Sequence, residues 1–284
     1  MVNARLERVL LRQVSGAARR APYAGAAMLA LTLCVTACAP KRVALPSDPG
    51  SPLSDYASIY NDVASGCSGV RSLRTEVSLS GSANGERLGG TLHAGFRKPE
   101  SMRLELRAGP LGTPVFVLVA NGSGATLVTR DNQVVRSPKA EDILGALTGI
   151  ALSPAELLAI LTGCVVPEPR ATGGRLHVNG WTSIDLDGRA TVYLQRAGAR
   201  WRLRAARRGE WSIEYVEWPE AATFPSKVHL SAVQPVAVEL RAGLAQTESN
   251  VDLDDSAFVV RVPPDAEAIS LDDIRRAGPL RNQP

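Results

Sequence analysis

The chain has 284 residues, 45% of them hydrophobic and 21% charged, enough apolar material for a packed core, which excludes a wholly disordered chain. Its formal charge of +4 comes from the first 37 residues, where five arginines face only Glu7. Removing these from 32 basic and 28 acidic residues leaves 27 of each sign. So neutral a remainder has no cluster able to grip a phosphate backbone, and no nucleic-acid partner is expected.

Arg5, Arg8, Arg12, Arg19 and Arg20 precede an apolar run, Ala21 to Ala37, containing Met28-Leu29-Ala30-Leu31-Thr32-Leu33. That is the order of a secretory signal: positive n-region, short h-region, small residues before the cut. The run is too short and too rich in alanine for a membrane span. Val35-Thr36-Ala37-Cys38 resembles the bacterial lipobox. Residues 1–37 therefore read as a lipoprotein signal peptide, and Cys38 as the acceptor of diacylglycerol and an acyl chain such as palmitate. Each buried methylene contributes about 0.8 kcal/mol, so one chain binds marginally and two or three anchor durably. Residues 38–53 are rich in Pro, Ser and Gly and read as a flexible tether reaching roughly 50 Å. In lipoprotein sorting an aspartate after the acylated cysteine favours inner-membrane retention. Ala39 stands there, which by resemblance implies the outer membrane, facing the periplasm.

Residues 54–284 are expected to form one domain, with a C-terminal extension from about 250. Ser54 opens a helix with Tyr56, Ile59, Tyr60 and Val63 on one face, and Gly66 ends it. The pattern then switches to period two. Leu73, Thr75, Val77 and Leu79 alternate with Arg74, Glu76, Ser78 and Ser80. Leu88 to Phe96 follows after the Asn84-Gly85 turn, and Met102, Leu104 and Leu106 alternate with Arg103, Glu105 and Arg107. Further turns stand at Asn121-Gly122, Asp131-Asn132, Asn179-Gly180 and Asp187-Gly188, and alternation resumes from Trp201 to Leu240. A long antiparallel meander with one wet face should curl around its core.

Two short helices interrupt the strands. Ala140 to Leu147 carries Ile143, Leu144 and Leu147. Ser153-Pro154-Ala155-Glu156 is a capping box opening a helix with Leu157, Leu158 and Leu161, stopped by Gly163. Such a pair should cover the concave face as a lid. Phe258 to Val262 reads as a last strand and Leu271 to Arg276 as a short helix. Of the four cysteines, Cys34 leaves with the leader and Cys38 is acylated. Cys67 and Cys164 are an even pair in an oxidising compartment and should form a structural disulfide.

Catalytic signatures are missing. His93, His177 and His229 are scattered on strands without metal-ligand spacing and read as strand-surface residues. Gly122-Ser123-Gly124 is a turn and no nucleophile elbow. Asp185 to Gly188 and Asp252 to Asp255 lack a full calcium loop. No enzyme, metal or cofactor is expected.

Three stretches resemble the LolA/LolB superfamily, the carriers and receptors of lipoproteins, and the LolB receptor most. They are the lipobox, the Gly109-Pro110-Leu111-Gly112-Thr113 loop, and Ala140 to Gly149 followed by Leu157 to Gly163. With the strands between, the resemblance covers roughly residues 55 to 245. It implies an incomplete, half-open antiparallel β-barrel with a helical lid over an apolar cavity for acyl chains. It further implies a chaperone-like role in lipoprotein localisation: a monomer takes acylated lipoprotein cargo from a periplasmic LolA-like carrier and places it in the outer membrane. The equivalent of Leu111 in the family protrudes and promotes insertion, and Pro110 and Gly112 would shape its turn. Pro114 and the unbroken run Val115 to Val119 depart from the family's polar alternation, and the cysteine pair and the C-terminal extension are additional. Two other readings stand beside this one. An envelope assembly lipoprotein would hold a protein partner and have a side-chain-filled interior, and a carrier would take free lipids.

Overall fold

The computed structural model describes residues 42–277 except 84, 165–169 and 235–236. The leader, Cys38, the first residues of the expected tether, Asn84, Val236 and the last seven residues lie outside the described residues. In chain order the elements are β1 (Ser51–Pro52), α1 (Tyr56–Ser68), β2 (Ser72–Ala83), β3 (Glu86–Arg97), β4 (Ser101–Ala108), β5 (Thr113–Asn121), β6 (Ala125–Thr129) and β7 (Gln133–Ser137). Helices α2 (Ala140–Thr148) and α3 (Pro154–Thr162) follow. The second run is β8 (Ala171–Leu176), β9 (Trp181–Leu186), β10 (Ala190–Ala197), β11 (Arg200–Arg208), β12 (Trp211–Glu217), β13 (Lys227–Ala232) and β14 (Val238–Ser249). A 3₁₀ turn (Asp255–Phe258), β15 (Glu267–Ala268) and α4 (Leu271–Ala277) complete it.

All the described strands join one open sheet in the order β1-β8-β9-β10-β11-β12-β13-β14-β2-β3-β4-β5-β6-β7-β15. It is two antiparallel meanders sewn together where β14 pairs with β2, Val238 opposite Ala83 and Ser249 opposite Leu73. This topology makes the lid. β7 and β8 stand near opposite edges, so the chain between them must cross the sheet, and α2 and α3 make that crossing. The antiparallel meander expected from the alternation, and the half-open sheet that the resemblance implies, are what the chain forms. Its edges end in the two-residue strands β1 and β15, too short to template further pairing.

The face beneath the helices, the inner face, holds two apolar clusters. Phe96, Met102, Leu104, Leu118 and Leu127 pack with Ile143, Leu144, Leu158 and Leu161 of α2 and α3. On the other meander, Ile59 and Tyr60 of α1 pack with Ile184, Leu194, Leu203 and Tyr215. Burial in this cluster pushes the Tyr215 hydroxyl well above its ordinary pKa. Helix α1 begins at Tyr56 and runs through Gly66 to Ser68, beyond the expected stop. Gly66 faces open space, so it has neither a positive φ nor a contact that would end the helix. Lid helix α3 starts as predicted: Ser153 Oγ accepts from the Glu156 amide at 3.2 Å, and Glu156 Oε2 accepts from the Ser153 amide at 2.9 Å. Ser153→Ala should cost about 1 kcal/mol, read as a lower urea midpoint at unchanged slope.

The C-terminal extension departs from expectation. No strand forms at Phe258 to Val262; instead Asp254 accepts from the Ser256 and Ala257 amides and caps the 3₁₀ turn. The segment crosses the outer face of the first meander. Ser72 Oγ donates to Val251 O at 2.6 Å, Arg97 to Leu253 O at 2.7 Å, and Arg97 stacks on the Phe258 ring at 4.9 Å. It then rounds the edge through β15, parallel to β7, and returns Ile274 of α4 to the inner cluster beside the lid. This cover explains the unbroken Val115 to Val119 run. Phe116 and Leu118 face the inner cluster, and Val119, opposite Arg103, is buried on the outer side where Arg103 bonds the carbonyls of Ala257 and Val259. Phe258→Ala should cost about 3–4 kcal/mol, and limited proteolysis should then cut within residues 250–262 before any strand is lost.

Candidate functional site

The expected lid residues lie against the inner face. Ile143, Leu144, Leu147, Leu158 and Leu161 are buried there, and Leu157 packs on the same cluster half-buried. Helix α2 ends at Gly149 and α3 at Gly163, both left-handed. At Gly163 a side chain is excluded twice over: φ is +71°, and a Cβ would stand 2.5 Å from the Trp218 ring. The chain leaving the lid is therefore seated closely on Trp218.

Ile143, Leu144 and Leu147 of α2 and Leu158 and Leu161 of α3 pack directly on the sheet's apolar residues, while Leu92, Trp211, Leu230 and Leu244 of the same face stay partly exposed. A cavity of about 160 Å³ opens between α1 and α3, lined by Ala64, Val70, Leu158 and Ala159 and by the two cysteines. That is smaller than the ~300–1,000 Å³ of a ligand pocket. A curled apolar face left uncovered would expose its whole surface to water, and short amphipathic helices on a crossing connection settle onto it.

Cys67 and Cys164 are bonded, their Cα atoms 5.7 Å apart, so the end of α1 is tied to the end of the lid. The Leu111 loop is a four-residue turn. The Gly112 amide donates to Gly109 O at 3.1 Å, Pro110 and Leu111 are the two central residues, and Gly109 and Gly112 both have positive φ. Proline at the first central position sets φ for such a turn. Leu111 stands 92% exposed at its apex, folded onto nothing.

Sequence reasoning missed a polar site on the outer face. The expected tether is not free where it is described: residues 42–53 lie along the sheet. Arg42 reaches Glu214 at 3.3 Å and Glu239 at 3.1 Å, and the Val43 amide donates to Glu214 at 3.0 Å. His229, expected on the strand surface, is 3% exposed and lies beneath this segment with Glu214 at 8%. Its Nδ1 is 3.0 Å from an Arg42 nitrogen, and its Nε2 lies 2.8 Å from Glu239. Further along, His177 bonds Asp48 through Nδ1 at 3.2 Å and Ser183 through Nε2 at 2.8 Å, and the Leu53 amide donates to Gly174 O. Desolvation alone would raise the Asp48 pKa, but the bonds from His177 and the Gly50 amide outweigh it and hold the carboxyl below its ordinary value. Its contribution is therefore present above the usual carboxylate range and is lost as pH falls through the lowered value. Ion pairs joining residues more than 120 positions apart leave no local pattern to read.

The architecture invites comparison with known proteins. The family model described as outer membrane lipoprotein LolB matches residues 72–243. The chain belongs to the LolB family. The match runs from the start of β2 into the first half of β14, takes in the lid, and stops before the C-terminal wrap. No curated protein matches. Among solved structures, a LolA superfamily protein from Nitrosomonas europaea aligns at TM-score 0.45 and 9% identity, covering 74% of this chain and 98% of its own. Lipoprotein LppX from Mycobacterium tuberculosis aligns at TM-score 0.31 and 9% identity, covering 70% and 98%. LprF from Mycobacterium bovis aligns at 0.29 and 12%, covering 76% and 100%. In this LolB-family chain the Gly109 to Thr113 turn and the α2–α3 lid both fall inside the matched range.

Proposed function

We propose that this LolB-family protein is a lipoprotein anchored through acylated Cys38, and that it binds the acyl chains of other lipoproteins beneath its lid. It takes them from a LolA-like periplasmic carrier and places them in the outer membrane, without catalysis. One observation carries the reading: leucine-rich lid helices cover an apolar sheet face in a molecule that also holds Leu111 fully exposed on a tight turn.

The packing of the lid on the sheet sets the energetics. Lifting the six lid residues off the face would cost roughly 9–18 kcal/mol at about 1.5–3 kcal/mol each. A chain of about sixteen carbons brings roughly 13 kcal/mol, within the range of that cost, whereas two or three chains exceed its upper end. Multiply acylated cargo should therefore open the lid more readily than free fatty acid. No ATP is needed if affinity rises from carrier to receptor to bilayer.

The close packing of the lid also favours a second reading, an envelope assembly lipoprotein that grips a protein partner. Incubating the domain with a synthetic triacylated lipopeptide and with a fatty acid separates them. Stoichiometric uptake of the lipopeptide at micromolar concentration supports the receptor. No uptake of either leaves the assembly role, and uptake of both makes the protein a carrier of free lipids.

A further inference from the structure

We infer that residues 42–53 are an orienting strap that turns the Leu111 end of the sheet toward the bilayer holding the protein's own anchor. This rests on acylation at Cys38 and deepens the reading above by naming the surface that meets the membrane.

Strand register places the strap's first contact. Glu239 is the second residue of β14 and pairs opposite Ser82, one residue short of the end of β2. Glu214 and His229 stand in the next outward-facing row, level with Arg241 and Ser80. Arg42 is thus clasped near the end of the sheet that carries the β2–β3, β13–β14 and β4–β5 turns. That end presents Leu111 and, on the β13–β14 turn, Val233 at 71% exposed. The strap's other end is fixed at His177, on the β8–β9 connection, at the opposite end of the sheet. There the chain pairs Ser51 with Leu176 and turns into α1.

Chain length does the rest. Four Cα–Cα steps lead from Cys38 to Arg42, a reach of about 14 Å, against roughly 50 Å for a free tether to Leu53. From Glu239 to Ser249, ten residues along β14, the sheet extends about 34 Å toward its opposite end. With the clasp closed, the anchor stays close to the Leu111 end, and Val178, 62% exposed at the other end, is carried away from it. The occupant of the Leu111 end is therefore a lipid surface.

The test uses the full mature chain with its acylated cysteine, in vesicles of phosphatidylethanolamine and phosphatidylglycerol. Environment-sensitive labels are placed at Thr113→Cys and Val178→Cys, with nitroxide quencher on the lipid. The label at 113 should be quenched several-fold more than the label at 178. Arg42→Glu should bring the two toward parity. So should an insert of about fifteen Gly and Ser residues between Cys38 and Arg42, which restores the long reach without touching the folded domain. Equal quenching at both ends of the unaltered protein, or a difference that survives both changes, overturns the strap while leaving lipopeptide uptake untouched. Failure of the chain to float with vesicles removes the anchor, and the strap's role with it.

Discussion

Leu111→Glu should leave lipopeptide uptake unchanged and slow delivery into vesicles by about ten- to a hundredfold. The turn holding Leu111 is closed by its own backbone bond, and the side chain touches no core residue, so the substitution costs the fold nothing. In the bilayer the leucine contributes about 1.5–3 kcal/mol, and every 1.4 kcal/mol is a factor of ten. A glutamate forfeits that burial and adds a charge to desolvate. Uptake would be followed by fluorescence of a labelled lipopeptide, delivery by its transfer to quencher-bearing vesicles. A parallel loss of uptake would place Leu111 in the binding step; unchanged delivery would make it an ordinary surface residue. Leu111→Phe should restore delivery, since the turn needs only an apolar apex.

The meander was readable because one face is wet. In β4, Met102, Leu104 and Leu106 are buried while Arg103, Glu105 and Arg107 are partly exposed, and that alternation is the strand. The lid helices were readable for a related reason, the capping box at Ser153 and leucines on one side. Two features escaped for opposite causes. The Val115 to Val119 run carries too much apolar signal, because a remote segment covers the second face of β5; no local rule distinguishes that from a strand in a parallel sheet. Residues 42–53 carry too little. Their proline, serine and glycine content is the same for a solvated tether and for a strap held by a few ion pairs, and Arg42 finds its partners on β12 and β14. The Leu111 turn lies between, since Pro110 and the two glycines specify its geometry while the sequence cannot say whether the leucine folds back.

Cys164→Ser should lower the unfolding free energy by about 4–5 kcal/mol, which for a domain of this size is a melting temperature lower by roughly 10 °C or more. The bridge spans 97 positions, and in the chain-entropy model a closed loop of that length removes about that much freedom from the unfolded chain. The loop it closes is the entire first meander with the lid, so the effect should have a spatial signature as well as a size. With the bond intact, the end of α3 is tied to α1 and seated on Trp218, and lifting the lid can only swing α2 and the start of α3 about that point. Without it, amide exchange should accelerate in α3 well beyond what global destabilisation explains, while β3 and β4 keep their protection relative to the rest. Lipopeptide uptake should persist in the reduced protein, since the leucines remain, and it should start sooner because one end of the lid is no longer held. A stability loss under about 1 kcal/mol would mean the unfolded chain is already compact across those residues. Uniform exchange across α3 and the strands would mean the bridge does not restrain the lid.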